Sequence, residues 1–122
     1  QRGPIKVGHL SIFRDWGYAP YYVETMWRML QANSAEDFLI CSGKVTSLQS
    51  LIEMILAKLG LEYETTIQID QELFRPVDLG ISYGDNTKAK QLLGWEYEMD
   101  TNHLIDQLIT DETRFIEWEL KY

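Results

Sequence analysis

SLQSLIEMILAKLGLEYETTIQI, residues 47–69, contains the change of period that decides the fold class. Leu48, Leu51, Ile52, Ile55, Leu56 and Leu59 recur at the spacing of one helical face. Thr46 or Ser47 can cap that helix, Thr46 with Gln49 having the capping-box spacing, and Gly60 supplies the left-handed residue that ends it. The period then drops to two. Leu61, Tyr63, Thr65, Ile67 and Ile69 alternate with Glu62, Glu64, Thr66 and Gln68, which predicts a strand with one wet face. A strong helix followed directly by a strand places the chain among α/β or α+β folds.

Working toward the N-terminus, Phe38-Leu39-Ile40-Cys41 reads, with Asp37, as a short strand buried on both sides, turned by Ser42-Gly43. Before it, Pro20 fits the first turn of a helix whose face carries Tyr22, Val23, Met26, Trp27 and Leu30. Ile5, Val7 and Leu10 around Gly8 predict a short strand running into a loop. Toward the C-terminus, Asp70–Leu73 suits a helical turn, and Pro76 pushes Arg75 into extended geometry. Asp85 or Asn86 caps a short helix through Lys88–Leu93 that ends at Gly94. Thr101 caps a last helix, with Leu104, Ile105, Leu108, Ile109, Phe115 and Trp118 spaced for burial. Asp111 and Glu112 interrupt that face and leave room for a break. The expected inventory is two or three strands and four helices in one mixed α/β unit.

The chain has 122 residues, 11 basic and 19 acidic side chains, and a net charge of −8. That balance argues against nucleic acid as a partner, since such binding rests on neutralising phosphates with Lys and Arg. An anionic small ligand would need local cations instead. No apolar run reaches the length of a membrane span and no export leader opens the chain, so a cytoplasmic location with no membrane partner is expected. Gln1 is not an initiator, and Gln1-Arg2-Gly3-Pro4 reads as a loop leading into a strand, so the chain looks like an excerpt. Cys41, alone in an apolar run, is expected to be a buried free thiol. His9 and His103 are far apart and have no Cys or His companions, which argues against a metal site.

Two arginines stand out in this acidic chain. Arg14 opens Arg14-Asp15-Trp16-Gly17-Tyr18-Ala19, a loop feeding straight into a helix, and Arg75 precedes Pro76. Such arginines are more often surface ion-pair partners than ligand contacts. The catalytic patterns that a sequence can carry on its face are missing. There is no glycine-rich turn between a strand and a helix, no phosphate loop, no Gly-x-Ser-x-Gly elbow and no His-Glu-x-x-His.

The ordered set of Gly8-His9-Leu10, RDWGYA at 14–19, Tyr22-Val23, Met26-Trp27, Arg75-Pro76, Gly84-Asp85, Lys88-Ala89 and Leu93-Gly94-Trp95 resembles GDP-mannose 4,6-dehydratases, members of the extended short-chain dehydrogenase/reductase family. The resemblance runs from about residue 5 to 110 and implies that 1–122 is the C-terminal substrate-binding domain, with an N-terminal Rossmann domain absent. It implies a parent lyase that converts GDP-mannose to GDP-4-keto-6-deoxymannose as a homo-oligomer. NADP and the catalytic residues would sit on the missing domain, leaving this chain without cofactor, catalytic residue or activity of its own. Within the chain, the resemblance assigns Arg14 and Arg75 to the nucleotide diphosphate and Asp78 to the nucleotide, where a ribose hydroxyl would suit a carboxylate. Asp78 replaces the usual glutamate, and His9 replaces the usual asparagine at another candidate contact. Apolar side chains that would face the Rossmann domain are expected to be exposed.

Two other readings stay open. One is the substrate part of another nucleotide-sugar epimerase or dehydratase, acting on a UDP-, CDP- or dTDP-sugar. The other is a stand-alone, non-catalytic binding or interaction domain.

Overall fold

The structure is a computed structural model that describes residues 3–121; the expected loop at Gln1 and Arg2 lies outside the described residues. Two parallel ladders and one antiparallel ladder join segments far apart in sequence. β1 (Ile5–Val7) pairs in parallel with β4 (Ile67–Ile69). β2 (Phe13–Arg14) is the centre of a second small sheet, flanked antiparallel by β3 (Thr46–Ser47) and parallel by β5 (Ile81–Ser82). Around them lie α1 (Ala19–Leu30), α2 (Leu48–Leu59), the four-residue α3 (Tyr63–Thr66), α4 (Thr87–Leu93) and α5 (Thr101–Glu119), with a 3-10 turn at Gln71–Leu73. The mixed α/β class is as expected, but the strands are shorter and more numerous than the sequence suggested.

The helices begin and end for identifiable reasons. Ser47 Oγ accepts from Ser50 N at the start of α2, so the cap is Ser47 and not the Thr46–Gln49 box. The next orphan amides of α2 are taken by the loop after β1, Leu48 N by Ile12 O and Gln49 N by Leu10 O. α2 and α4 both end at left-handed glycines, Gly60 and Gly94. At α4, Asn86 holds the cap position but does not cap. Asp85 takes the Thr87 amide, while the Asn86 amide group reaches back to Cys41 O and Ser42 O. α5 is capped by Asp100, whose carboxylate accepts from His103 N, one residue earlier than Thr101.

α5 is continuous through Asp111, where the sequence left room for a break. The carboxylate that interrupts its apolar face accepts from Tyr18 Oη and from Gln107, so it is a tether to the loop before α1.

Hydrogen bonds from the His103 amide hold the Asp100 carboxyl below its ordinary 3.8. A carboxylate with a lowered folded value stabilises above its unfolded value and loses that contribution as pH falls through the folded one. Acid titration of the stability, followed by helical circular dichroism below about pH 4, should therefore show a steeper loss for the native chain than for Asp100→Asn. Parallel profiles would remove the cap from the account.

Of two predicted strands, one is shortened and the other is not formed. The alternating segment 61–69 pairs only over Ile67–Ile69, because its partner β1 begins after Pro4, which has no amide to continue the ladder. The preceding residues close instead into the turn α3, with Thr66 N and Thr65 Oγ1 both on Glu62 O. Residues 37–41 have no ladder partner among the described residues. Side chains hold this segment: Lys88 Nζ donates to Asp37 O, and Asn86 donates to Cys41 O. Phe38 and Ile40 pack inward while Leu39 is exposed.

The core is aromatic. Ala89, Trp95 and Tyr97 are buried together, with Tyr18, Tyr21, Tyr22, Phe38 and Ile40 around them. Trp95 Nε1 donates to Tyr21 O, and Trp16 Nε1 to Thr46 O. Trp27 departs from the packing role its spacing suggested, being 61% exposed together with Val23, Met26 and Leu30 on the same face of α1. On α5, Leu104 and Ile105 are buried, whereas Leu108, Phe115 and Trp118 are exposed. Among the described residues no helix is long and apolar enough to cross a membrane.

Candidate functional site

The four candidate residues fall on two segments that run alongside each other: 8–14, from the end of β1 into β2, and 74–80, from the 3-10 turn to β5. Phe13 N donates to Gly80 O and Asp70 N to Val7 O, tying the segments at both ends. Gly8 makes the approach possible at the first end. A Cβ there would stand 2.8 Å from Leu73 O, closer than a side chain tolerates.

His9 sits near the start of the first segment, facing Phe74 at the start of the second. Its ring lies 5.4 Å from that of Phe74, and its Nδ1 is hydrogen-bonded to Ser11 Oγ at 3.0 Å. With Gln49, Tyr63 and Ile69, these residues line an open cleft of about 320 Å³.

Arg14 sits at the other end. Nη1 donates to Phe13 O at 2.8 Å and to Leu79 O at 2.7 Å, and Nη2 pairs with Asp78 Oδ1 at 2.7 Å. The structure thus brings Arg14 and Asp78, which are distant in sequence, into direct contact. Arg14 also lines a separate depression of about 240 Å³ with Asp15, Leu39, Cys41, Ser82, Tyr83 and Gly84.

Arg75 lies exposed in a loop and makes no hydrogen bond or ion pair among the described residues. Three residues from Asp78, its Cα is within about 11 Å of that residue's by chain length alone. The segment 74–80 therefore carries one arginine free for a ligand and one carboxylate already committed to Arg14.

Asp15 was not singled out by the sequence reading, yet it organises the loop. Its two carboxylate oxygens accept from the consecutive amides of Ser42 and Gly43, both at 2.8 Å. Ser42-Gly43 was legible as a turn, and a carboxylate beside Arg14 was on view. What joins them is a contact across the fold. The same carboxylate adds to the burial that pushes the Cys41 thiol above its ordinary value, which keeps it a protonated, inert group.

Among the described residues, no three His, Cys, Asp or Glu side chains gather as a metal site would require. A further depression, about 540 Å³ between the end of α1 and α4 and lined by Trp27, Arg28, Glu36 and Leu92, contains none of the candidates. What the two segments offer is a charged, hydrogen-bonding rim suited to an anionic ligand.

Comparison with known proteins gives this geometry a lineage. The family model for GDP-mannose 4,6 dehydratase matches residues 1–108. GDP-mannose 4,6 dehydratase 2 of Arabidopsis thaliana is 31% identical over 113 residues, covering 93% of this chain and 30% of that protein. The human GDP-mannose 4,6 dehydratase is 31% identical over 122 residues, covering 86% of this chain and 33% of its own length. Among solved structures, RMD from Pseudomonas aeruginosa complexed with NADPH superposes with a TM-score of 0.79 at 22% identity, over 93% of this chain and 37% of that one. A dTDP-glucose 4,6-dehydratase from Bacillus anthracis, in complex with NAD, gives 0.82 at 14% identity, over 95% and 36%. At such identities these two likenesses speak for the fold alone. The chain spans about a third of the length of these relatives. The match over residues 1–108 places this chain in the GDP-mannose 4,6-dehydratase family.

Proposed function

We propose that the chain forms the nucleotide-sugar-binding part of a GDP-mannose 4,6-dehydratase, an enzyme that takes GDP-mannose to GDP-4-keto-6-deoxymannose. The observation that carries this reading is the family match over residues 1–108, which includes Arg14, Arg75 and Asp78. The geometry is in keeping with it. Arg14 and Arg75 stand on two adjoining segments, and a guanidinium is a planar, permanent cation suited to diphosphate oxygens. His9, beside Phe74, lies at the far end of the same strip.

The described residues do not fit a dinucleotide cofactor. No glycine-rich turn links a strand to a helix, the first-turn amides of α2 are taken by Ser47 and loop carbonyls, and Asp100 takes the His103 amide of α5. NADP and the redox chemistry would belong to the parent's other domain, and the exposed face of α1 is suited to meeting it.

The test is calorimetric titration of GDP and GDP-mannose into the intact protein and its Arg14→Ala and Arg75→Ala variants. Each substitution should weaken binding roughly tenfold or more, the range for hydrogen bonds to charged groups. Unchanged affinity in both variants would sink the diphosphate assignment. The same titration with UDP-, CDP- and dTDP-sugars reads base preference, and tighter binding of one of these would move the substrate away from GDP-mannose.

A further inference from the structure

We infer that Asp78 is a positioning residue for Arg14: it fixes the guanidinium plane so that the unspent donors face a nucleotide diphosphate, and it governs affinity through that arginine and not through the ribose. This rests on the reading that Arg14 grips the diphosphate. A guanidinium has five N–H groups. Both on Nη1 are spent on Phe13 O and Leu79 O, and one on Nη2 is spent on Asp78 Oδ1. The two that remain, on Nε and Nη2, are donors suited to phosphate oxygens.

Asp78 is the only one of these three acceptors that carries a charge and the only one on Nη2. The carbonyls alone would hold Nη1 and leave the unspent donors to pivot about it. The pair is 24% and 23% exposed, buried enough for its geometry to persist and open enough for a ligand to reach those donors. The backbone places Asp78 for this task. Two residues on, Gly80 O receives Phe13 N, so the loop is pinned against β2 where a short aspartate side chain meets Nη2 directly.

A double-mutant cycle on GDP binding by the intact protein tests the inference, using Asp78→Ala, Arg14→Gln and the pair, each checked for folding by its thermal midpoint. Asp78→Ala should weaken GDP binding about fivefold when Arg14 is present, and should add nothing in the Arg14→Gln background. Asp78→Asn, which keeps an Oδ1 acceptor, should recover most of the loss. The affinity ratios of GDP to 2′-deoxy-GDP and to 3′-deoxy-GDP should be the same for the native protein and for Asp78→Ala. Additive losses, no loss on Asp78→Ala, or a collapse of either ratio in that variant would overturn the positioning role; the last would assign Asp78 to the ribose. Arg14→Gln with undiminished GDP binding is a separate outcome, which overturns the diphosphate reading itself. Should Asp78→Ala fail to fold, Asp78→Ser serves in its place.

Discussion

Trp95→Ala is expected to lower the unfolding free energy by about 3–5 kcal/mol, the range for removing a buried large aromatic side chain. Trp95 is 1% exposed, and its ring lies 6.2 Å from Tyr22 and 6.4 Å from Tyr97. The buried cluster is small and built of rigid rings, so its walls have little freedom to collapse into the space left behind. Urea denaturation, with the midpoint falling and the slope unchanged, would read the loss. The indole N–H contributes less than the ring. Tyr21 O also receives Thr25 Oγ1 at 3.0 Å, so Trp95→Phe leaves that carbonyl satisfied. The phenylalanine variant should therefore lose about 1–2 kcal/mol. An alanine variant within about 1 kcal/mol of the native chain would show that the aromatic cluster is not the core.

Gly17→Ala is the second large effect, and here the constraint is space. A Cβ on Gly17 would lie 1.7 Å from Tyr22 Oη and 2.4 Å from its Cζ. Tyr22 cannot give way cheaply, because its ring is part of the aromatic cluster around Trp95 and Tyr97. Burial, reinforced by the nearby Asp15 carboxylate, pushes its hydroxyl up to about 12, in keeping with a group packed away from water. Overpacking of this kind costs about 1–3 kcal/mol. Tyr22→Phe removes the nearest atom but leaves the ring carbon at 2.4 Å, so the double variant should recover only part of the loss. If Gly17→Ala melts with the native protein, the ring must swing clear, and the close packing between the loop and α1 is not a constraint.

What could be read from the residues divides along a physical line. Helix ends were legible because they are local. Gly60 and Gly94 end α2 and α4 as predicted, and Ser47 was one of two candidate caps. The alternating stretch 61–69 misled because a ladder needs a partner of equal length, and Pro4 shortens β1 to three residues. The segment 37–41 has strand-like composition, but no edge among the described residues is offered to it. Burial of Trp27 was inferred from spacing, which identifies an apolar face without saying what covers it.

For the site, composition and resemblance together drew out Arg14, Arg75, Asp78 and His9. The reading of a lone arginine as an ion-pair partner and its reading as a ligand contact then met in one residue, since Arg14 is paired and still has donors unspent. That pairing spans from β2 to the loop before β5, and no local pattern announces it. Asp15 escaped for the same reason, because its partners are backbone amides with no side-chain signature.

The parallel ladders set an order on how this fold is made. Ile5 waits for Ile67 and Phe13 for Ile81, so each ladder closes a loop of about half the chain. Closing such loops costs chain entropy before any contact repays it, whereas α2 and α5 can begin from their own neighbours. On a ribosome, residues 13 and 14 would emerge long before the strand that completes their sheet. The rim bearing Arg14 is therefore among the last parts of this fold to take shape, although it is made well before its partner strand β5.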